Sequence, residues 1–216
     1  MKFKKYIIES EGYDESILND IITDCHQYIK DFKTIWRGNF FYSGRGGSAS
    51  DISKRSVRHD RKPKDTPTEI HNAISNWFHK KFGVPARSGS VFISIDSYVA
   101  GDYGSKLYII LPVGSYFTIS SNSVPDMYSD VIQKAIHRYN DKYTKHNIHN
   151  DKKLWNMFFS VDDKSAVIDD ILGIIEKSDY KRNLLNDGNE QMLICEEYYC
   201  INSKILDKHM YNAIFK

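Results

Sequence analysis

Apolar residues recur at helical spacing in several separate stretches of the chain. From Asp14 to Phe32, "DESILNDIITDCHQYIKDF" sets Ile17, Leu18, Ile21, Ile22, Cys25, Tyr28 and Ile29 along one face, with Asp14 or Ser16 available as N-cap. That spacing predicts an amphipathic helix over 14–32. "TPTEIHNAISNWFHKKFG" predicts a second over 67–82: Pro67 suits its first turn, Gly83 its stop, and Ile70, Ala73, Ile74, Trp77 and Phe78 form its stripe. Further helices are expected over 125–146 and 163–177, with a last helical segment near "ILDKHMYNAIF". Short apolar runs between them read as strands: "SVFISID", "KLYIILPVG", "YFTISS" and both halves of "EQMLICEEYYCIN". "TIWRG" reads as another short strand ended by Gly38, "GNFFYSGRGGSASD" as a mobile loop, and "SYVAGDYG" as a turn or short helix.

Helices and strands intermix without regular alternation and without a repeat, which favours an α+β domain with mainly antiparallel sheet over a doubly wound parallel one. At 216 residues, 41% hydrophobic and 27% charged, the chain is expected to form one domain spanning 1–216. A net charge of +2 does not by itself indicate a nucleic-acid or membrane partner. The charge is uneven, however: "DISKRSVRHDRKPK" gathers Lys54, Arg55, Arg58, Arg61, Lys62 and Lys64 in a loop-like stretch offset only by Asp51 and Asp60. Such a run is either a solvated face or an anion site, and its arginines suit phosphate.

Three cysteines, Cys25, Cys195 and Cys200, form no disulfide framework, so reduced thiols in a cytosol are expected. The first residues, "MKFKKYIIESEGYDE", lack the apolar run of a signal peptide, and no stretch approaches a membrane span. No GxGxxG or Walker loop, no GxSxG elbow and no zinc-ligand spacing occurs.

Three polar residues interrupt apolar contexts: Arg37 in "TIWRG", Ser94 in "VFIS" and Glu190 in "EQMLIC". The plain account is that Arg37 and Glu190 pair with each other or lie at sheet ends in water. Together they allow more, because a cation, a hydroxyl and a carboxylate on neighbouring strands suit a dinucleotide with a labile glycosidic bond. The arginine could fork onto the pyrophosphate. The carboxylate could bind a ribose hydroxyl and stabilise the charge that develops as the base departs. The serine could orient that carboxylate.

This pattern resembles the mono-ADP-ribosyltransferases of the Arg-Ser-Glu class, which include bacterial exotoxins and enzymes of tailed phages. The family's aromatic-Arg-Gly motif is matched by Trp36-Arg37-Gly38. Its Ser-Thr-Ser strand and following helix are matched by Ser94-Ile95-Asp96 with Ala100 downstream, and its carboxylate-headed strand by Glu190-Gln191-Met192-Leu193. Ile95 and Asp96 depart from the second motif, and Gly188 stands where arginine-modifying members carry Glu or Gln.

The resemblance implies a split antiparallel β-sandwich around an NAD cleft, flanked by helices. It also implies an ADP-ribosyltransferase that uses NAD as co-substrate. Arg37 and Gly38 would meet NAD, Ser94 would buttress the site and Glu190 would act on the ribose. Phe92, Tyr103, Arg58 and Arg61 are further candidates for the NAD site, and His71 is a weaker one, expected to be structural. The implied partner is a macromolecular acceptor, protein or nucleic acid, in the cytoplasm (of the host, if the chain is phage-encoded), with no membrane role. A plain NAD glycohydrolase differs only in using water as acceptor. The competing class is a non-catalytic phage or bacterial binding protein on the same scaffold, gripping a nucleic acid or acidic partner through 54–64.

Overall fold

The computed structural model describes residues 15–46, 50–59, 66–139, 156, 158, 163–183 and 189–216. The first predicted helix is present as two segments, α1 (Glu15–Asp24) and α2 (His26–Thr34), which break at Cys25. One stripe still runs through both, burying Leu18, Ile21, Cys25, Tyr28 and Phe32 at alternating spacings of three and four. The stripe thus keeps its helical phase across the break for roughly four turns.

The chain then does not enter a strand at "TIWRG". The amide of Trp36 donates to Asp31 O and that of Gly38 to Phe32 O, and both Arg37 (φ 52°) and Gly38 (φ 77°) are left-handed. A helix end that folds back on its own carbonyls needs positive φ, so Gly38 ends a turn and not a strand. The next strands lie where loops are expected. β1 (Tyr42–Arg45) falls inside the glycine-rich stretch and β2 (Ile52–Ser56) inside the basic one. Both are fixed by tertiary pairing, which overrides weak local propensity.

Helix α3 (Thr68–Phe82) closes on Gly83 at φ 80°, as its sequence predicts, and its buried face carries Ile70, His71, Ile74, Ser75 and Phe78. Strand β3 (Val91–Ile93) leads into α4 (Ser97–Gly101), and β4 (Lys106–Pro112) and β5 (Phe117–Ser120) follow. The predicted 125–146 helix starts as a π-helical turn, Tyr128–Gln133, that runs into α5 (Lys134–Arg138); residues 140–146 lie outside the described ones. Helix α6 (Lys164–Lys177) is capped by Asp163, and after it come β6 (Lys181–Arg182), β7 (Gln191–Ile194) and β8 (Glu197–Asn202). Helix α7 (Lys208–Phe215) is capped by Asp207.

The strands form two four-stranded antiparallel sheets, ordered β1-β4-β8-β2 and β3-β7-β5-β6. The α+β class with mainly antiparallel sheet is thus the observed one. Chain order interleaves the sheets, since β4 and β5, and again β7 and β8, are consecutive strands in different sheets. The first core joins α1, α2 and α7 to the first sheet and takes in Val91, Ile93 and Leu193 of the second. The second packs α3, α5, the π-helical turn and α6 onto Ile119 and Met192. Alternate residues of β3 and β7 thus face opposite cores, as a pleat with both faces covered requires.

Candidate functional site

The backbones of the two sheets are bridged where Tyr42 on β1 and Ser94 beyond β3 form an isolated antiparallel bridge with bonds of 2.7 and 2.9 Å. At this seam lies a cavity of about 570 Å³, within the range of small-molecule sites. Strands of both sheets wall it: Tyr42 to Arg45 and Tyr198 from one, Val91 to Ser94 and Glu190 from the other. Helix α4 contributes Val99 and Ala100, α3 contributes His71, and the connections contribute Arg58, Thr66, Arg87, Ser90, Tyr103 and Asp126.

Ser94 is 2% exposed at the point where strand becomes helix. Asp96 N donates to Ser94 Oγ at 3.0 Å, and the Asp96 carboxylate in turn accepts from Tyr98 N at 2.8 Å to cap α4. A hydroxyl inside the apolar run therefore ends the strand and starts the helix. The β3–β7 register pairs Ile93 with Gln191; continued by one residue, it sets Ser94 opposite Glu190.

Glu190 N donates to Pro125 O at 3.0 Å, which fixes the entry to β7. Its carboxylate accepts from Arg87 Nη1 at 3.2 Å, and the two side chains are 14% and 11% exposed. Arg87 Cζ also stands 5.0 Å above the Phe92 ring centroid. The loop carrying Arg87 is a compact turn. Gly89 N donates to Pro85 O at 2.9 Å, and Ser88 Oγ lies 2.8 Å from Ser75 Oγ on α3. The Tyr103 phenol, although 55% exposed, is held well above its usual range by partial burial and by the Glu190 and Asp126 carboxylates. Buried Tyr180 is raised by the same causes.

Across the seam, Arg45 Nη2 donates to Tyr198 OH at 3.0 Å and its guanidinium lies 5.2 Å over that ring. Its Nε is buried without a hydrogen-bond partner, as is Ser90 Oγ, and both residues line the cavity. Three arginines thus face two carboxylates, one already matched to Arg87. These two unused donors of the lining, Arg45 Nε and Ser90 Oγ, fit an anionic ligand.

Of the residues picked out from sequence, Ser94, Glu190, Phe92, Tyr103, Arg58 and His71 line this cavity. Arg37 and Gly38 do not: both are exposed on the turn after α2. Arg61 lies outside the described residues. The basic stretch is a strand in part, with Lys54 bound to Asp24 at 2.9 Å and Glu197 at 3.2 Å, and Arg55 Nε donating to Ser53 Oγ at 3.0 Å. Sequence reading passed over Arg45, Arg87 and Tyr198. No local signal marked Arg45, since Tyr42-Ser43-Gly44-Arg45 has no strand-like alternation.

The thiols have no part here. Burial pushes Cys25 and Cys195 up to about 12, and Cys200 is raised too, so none supplies a thiolate near neutral pH. Among the described residues, no group of His, Cys, Asp and Glu is placed to hold a metal ion, and no helix is long and apolar enough to cross a membrane. No protein-family model matches the chain, and neither a curated protein nor a solved structure matches it.

Proposed function

We propose that this protein is an NAD-dependent mono-ADP-ribosyltransferase whose site is the cavity at the seam of the two sheets. One observation carries the reading: Ser94, Phe92, Tyr103 and Arg58, together with Glu190 far along the chain, meet in one cavity. The buried, partnerless Arg45 Nε adds support, since a ligand phosphate would satisfy it. Arg45 takes the place that the resemblance gives to Arg37.

In this reading Arg45 and Arg58 face the pyrophosphate, and Phe92 and Tyr103 offer aromatic surface to the bases. The Glu190 carboxylate accepts a hydrogen bond from the ribose and lies against the positive charge that grows there. The bond between ribose C1′ and the nicotinamide nitrogen breaks, and its electron pair leaves with nicotinamide. A lone pair of the acceptor forms the new bond to C1′, and the acceptor loses its proton to solvent or a neighbouring base. Water as acceptor makes the protein an NAD glycohydrolase, and a macromolecule makes it a transferase.

Incubation with NAD labelled in the adenosine half tests both. Free nicotinamide is expected, with label either on a macromolecule or in ADP-ribose. Glu190→Gln is expected to remove the release by at least about a hundredfold, as for a group that acts mainly in the transition state, while far-UV circular dichroism is unchanged. Intact NAD after prolonged incubation, or full turnover by Glu190→Gln, overturns the assignment.

A further inference from the structure

The serine that the sequence offers as a support for Glu190 is occupied elsewhere: the one side-chain hydrogen bond of Ser94 among the described residues is from Asp96 N. Arg87 Nη1, by contrast, donates directly to the Glu190 carboxylate at 3.2 Å. We propose that Arg87 is the positioning residue of the site, holding Glu190 in one orientation and keeping it ionised. The proposal rests on the reading of Glu190 given above and deepens it.

Three features make Arg87 a fixed support and not a mobile surface cation. Its side chain is only 11% exposed, its guanidinium meets both the Glu190 carboxylate and the Phe92 ring, and its backbone belongs to the turn anchored on Ser75. Phe92 pairs with Met192 on β7 and Glu190 immediately precedes that strand, so the ring and the carboxylate that meet Arg87 come from neighbouring segments of one sheet. Both partners are largely buried, so the attraction is screened less than at a surface, and removing either takes a close counter-charge from the other.

The surroundings of Glu190 include acids whose repulsion the guanidinium offsets. The groups acting with it are Asp126 ahead of the π-helical turn, Tyr103 after α4, Tyr180 before β6 and Arg87 before β3, since both tyrosines feel Glu190, Asp126 and Arg87 together. Asp102 bears on Tyr103 and Asp179 on Tyr180. Arg45, Arg58 and His71 line the same cavity, while the acids of this set each disfavour a second negative charge. Without Arg87 the carboxylate would take up a proton more readily and lose the charge that a developing cation needs.

The test is a pair of variants, Arg87→Gln and Arg87→Lys, read in two ways. With no NAD present, NMR follows the side-chain carboxyl of Glu190 as pH is varied. The Gln variant is expected to titrate about one unit or more higher than the parent, and Lys to restore most of the difference. With NAD present, the Gln variant is expected to lose at least about tenfold in kcat at acid pH, with KM within about twofold and the loss shrinking as pH rises; Lys rescues it.

An unmoved carboxyl titration, or a kcat loss that is equal at all pH values and unrescued by Lys, assigns Arg87 a packing role and overturns the proposal. If the Gln variant does not fold, the Lys variant reads the same quantities with smaller shifts. A carboxyl titration that moves as expected, in a protein whose parent form releases no nicotinamide, overturns the NAD reading and leaves the Arg87–Glu190 support in place.

Discussion

Arg45 and Arg37 are both arginines near a glycine, but their surroundings differ. Arg45 is fixed by the Tyr198 hydroxyl and ring and keeps a buried Nε without a partner, whereas Arg37 is exposed on a left-handed turn. A hydrogen bond to a charged group is worth about 1.5–3 kcal/mol, so Arg45→Gln should weaken NAD binding by about 10- to 150-fold in calorimetric titration. Arg37→Gln should leave binding unchanged, and the reverse result would return the role to Arg37. Asp179 offers a test at the same scale that is free of any functional reading. Its carboxylate accepts from Ser121 Oγ, at 3.1 Å from Ser123 N and at 2.9 Å from Ser123 Oγ, and these bonds lower it from 3.8 to about 2. A group depressed in the fold contributes stability above its unfolded pKa and loses it as pH falls through the folded one. Asp179→Asn should therefore lower the urea midpoint at pH 7 and flatten its acid dependence between about pH 4 and 2.

The elements show where local pattern suffices and where it does not. Helix α3 was legible because Pro67, the Ile70-to-Phe78 stripe and Gly83 all act within the segment itself. Strand β1 was not, because "YSGR" carries no strong preference and becomes a strand only through its register with β4, Tyr42 against Ile109 to Arg45 against Lys106. The same holds for β2, a strand by virtue of β8. Thus Ser94 and Glu190, on apolar strands, could be picked out from sequence, while Arg45 was hidden by neighbours that read as loop. Those neighbours have a steric purpose. A Cβ on Gly44 would run into Ala100 O of α4, and one on Gly104 into the backbone of Arg45. Strand and helix end thus approach more closely than any side chain permits, which brings α4 over the cavity wall. Gly44→Ala should destabilise the fold by about 1–3 kcal/mol, the usual cost of overpacking. Urea unfolding measures it, and a cost near zero would show that α4 moves aside freely.

At the scale of the whole molecule, the cavity is the place where two sheets with separate cores share residues. Arg45 and Tyr198 belong to the sheet packed on α1, α2 and α7, while Glu190 and Phe92 stand on strands that also pack against α3 and α6. Among the described residues the sheets are tied by the Tyr42–Ser94 bridge, by the apolar packing of Val91, Ile93 and Leu193 in the first core, and by the chain crossings. A ligand spanning the seam adds contacts that neither sheet can make alone, and it binds the folded chain alone. Saturation at a hundred times Kd should then stabilise the protein by about 2.7 kcal/mol. For a chain of this length that raises Tm by about 5–10 °C. NAD is the ligand to use, with nicotinamide riboside, which lacks the pyrophosphate, as the comparison. Because Arg45 and Arg58 are assigned to the phosphates, at one fixed ligand concentration the shift should be large with NAD, small with the riboside, and reduced in Arg45→Gln. Equal shifts from both compounds would mean that binding energy comes from the aromatic end, and the cationic wall across the seam would then need another explanation.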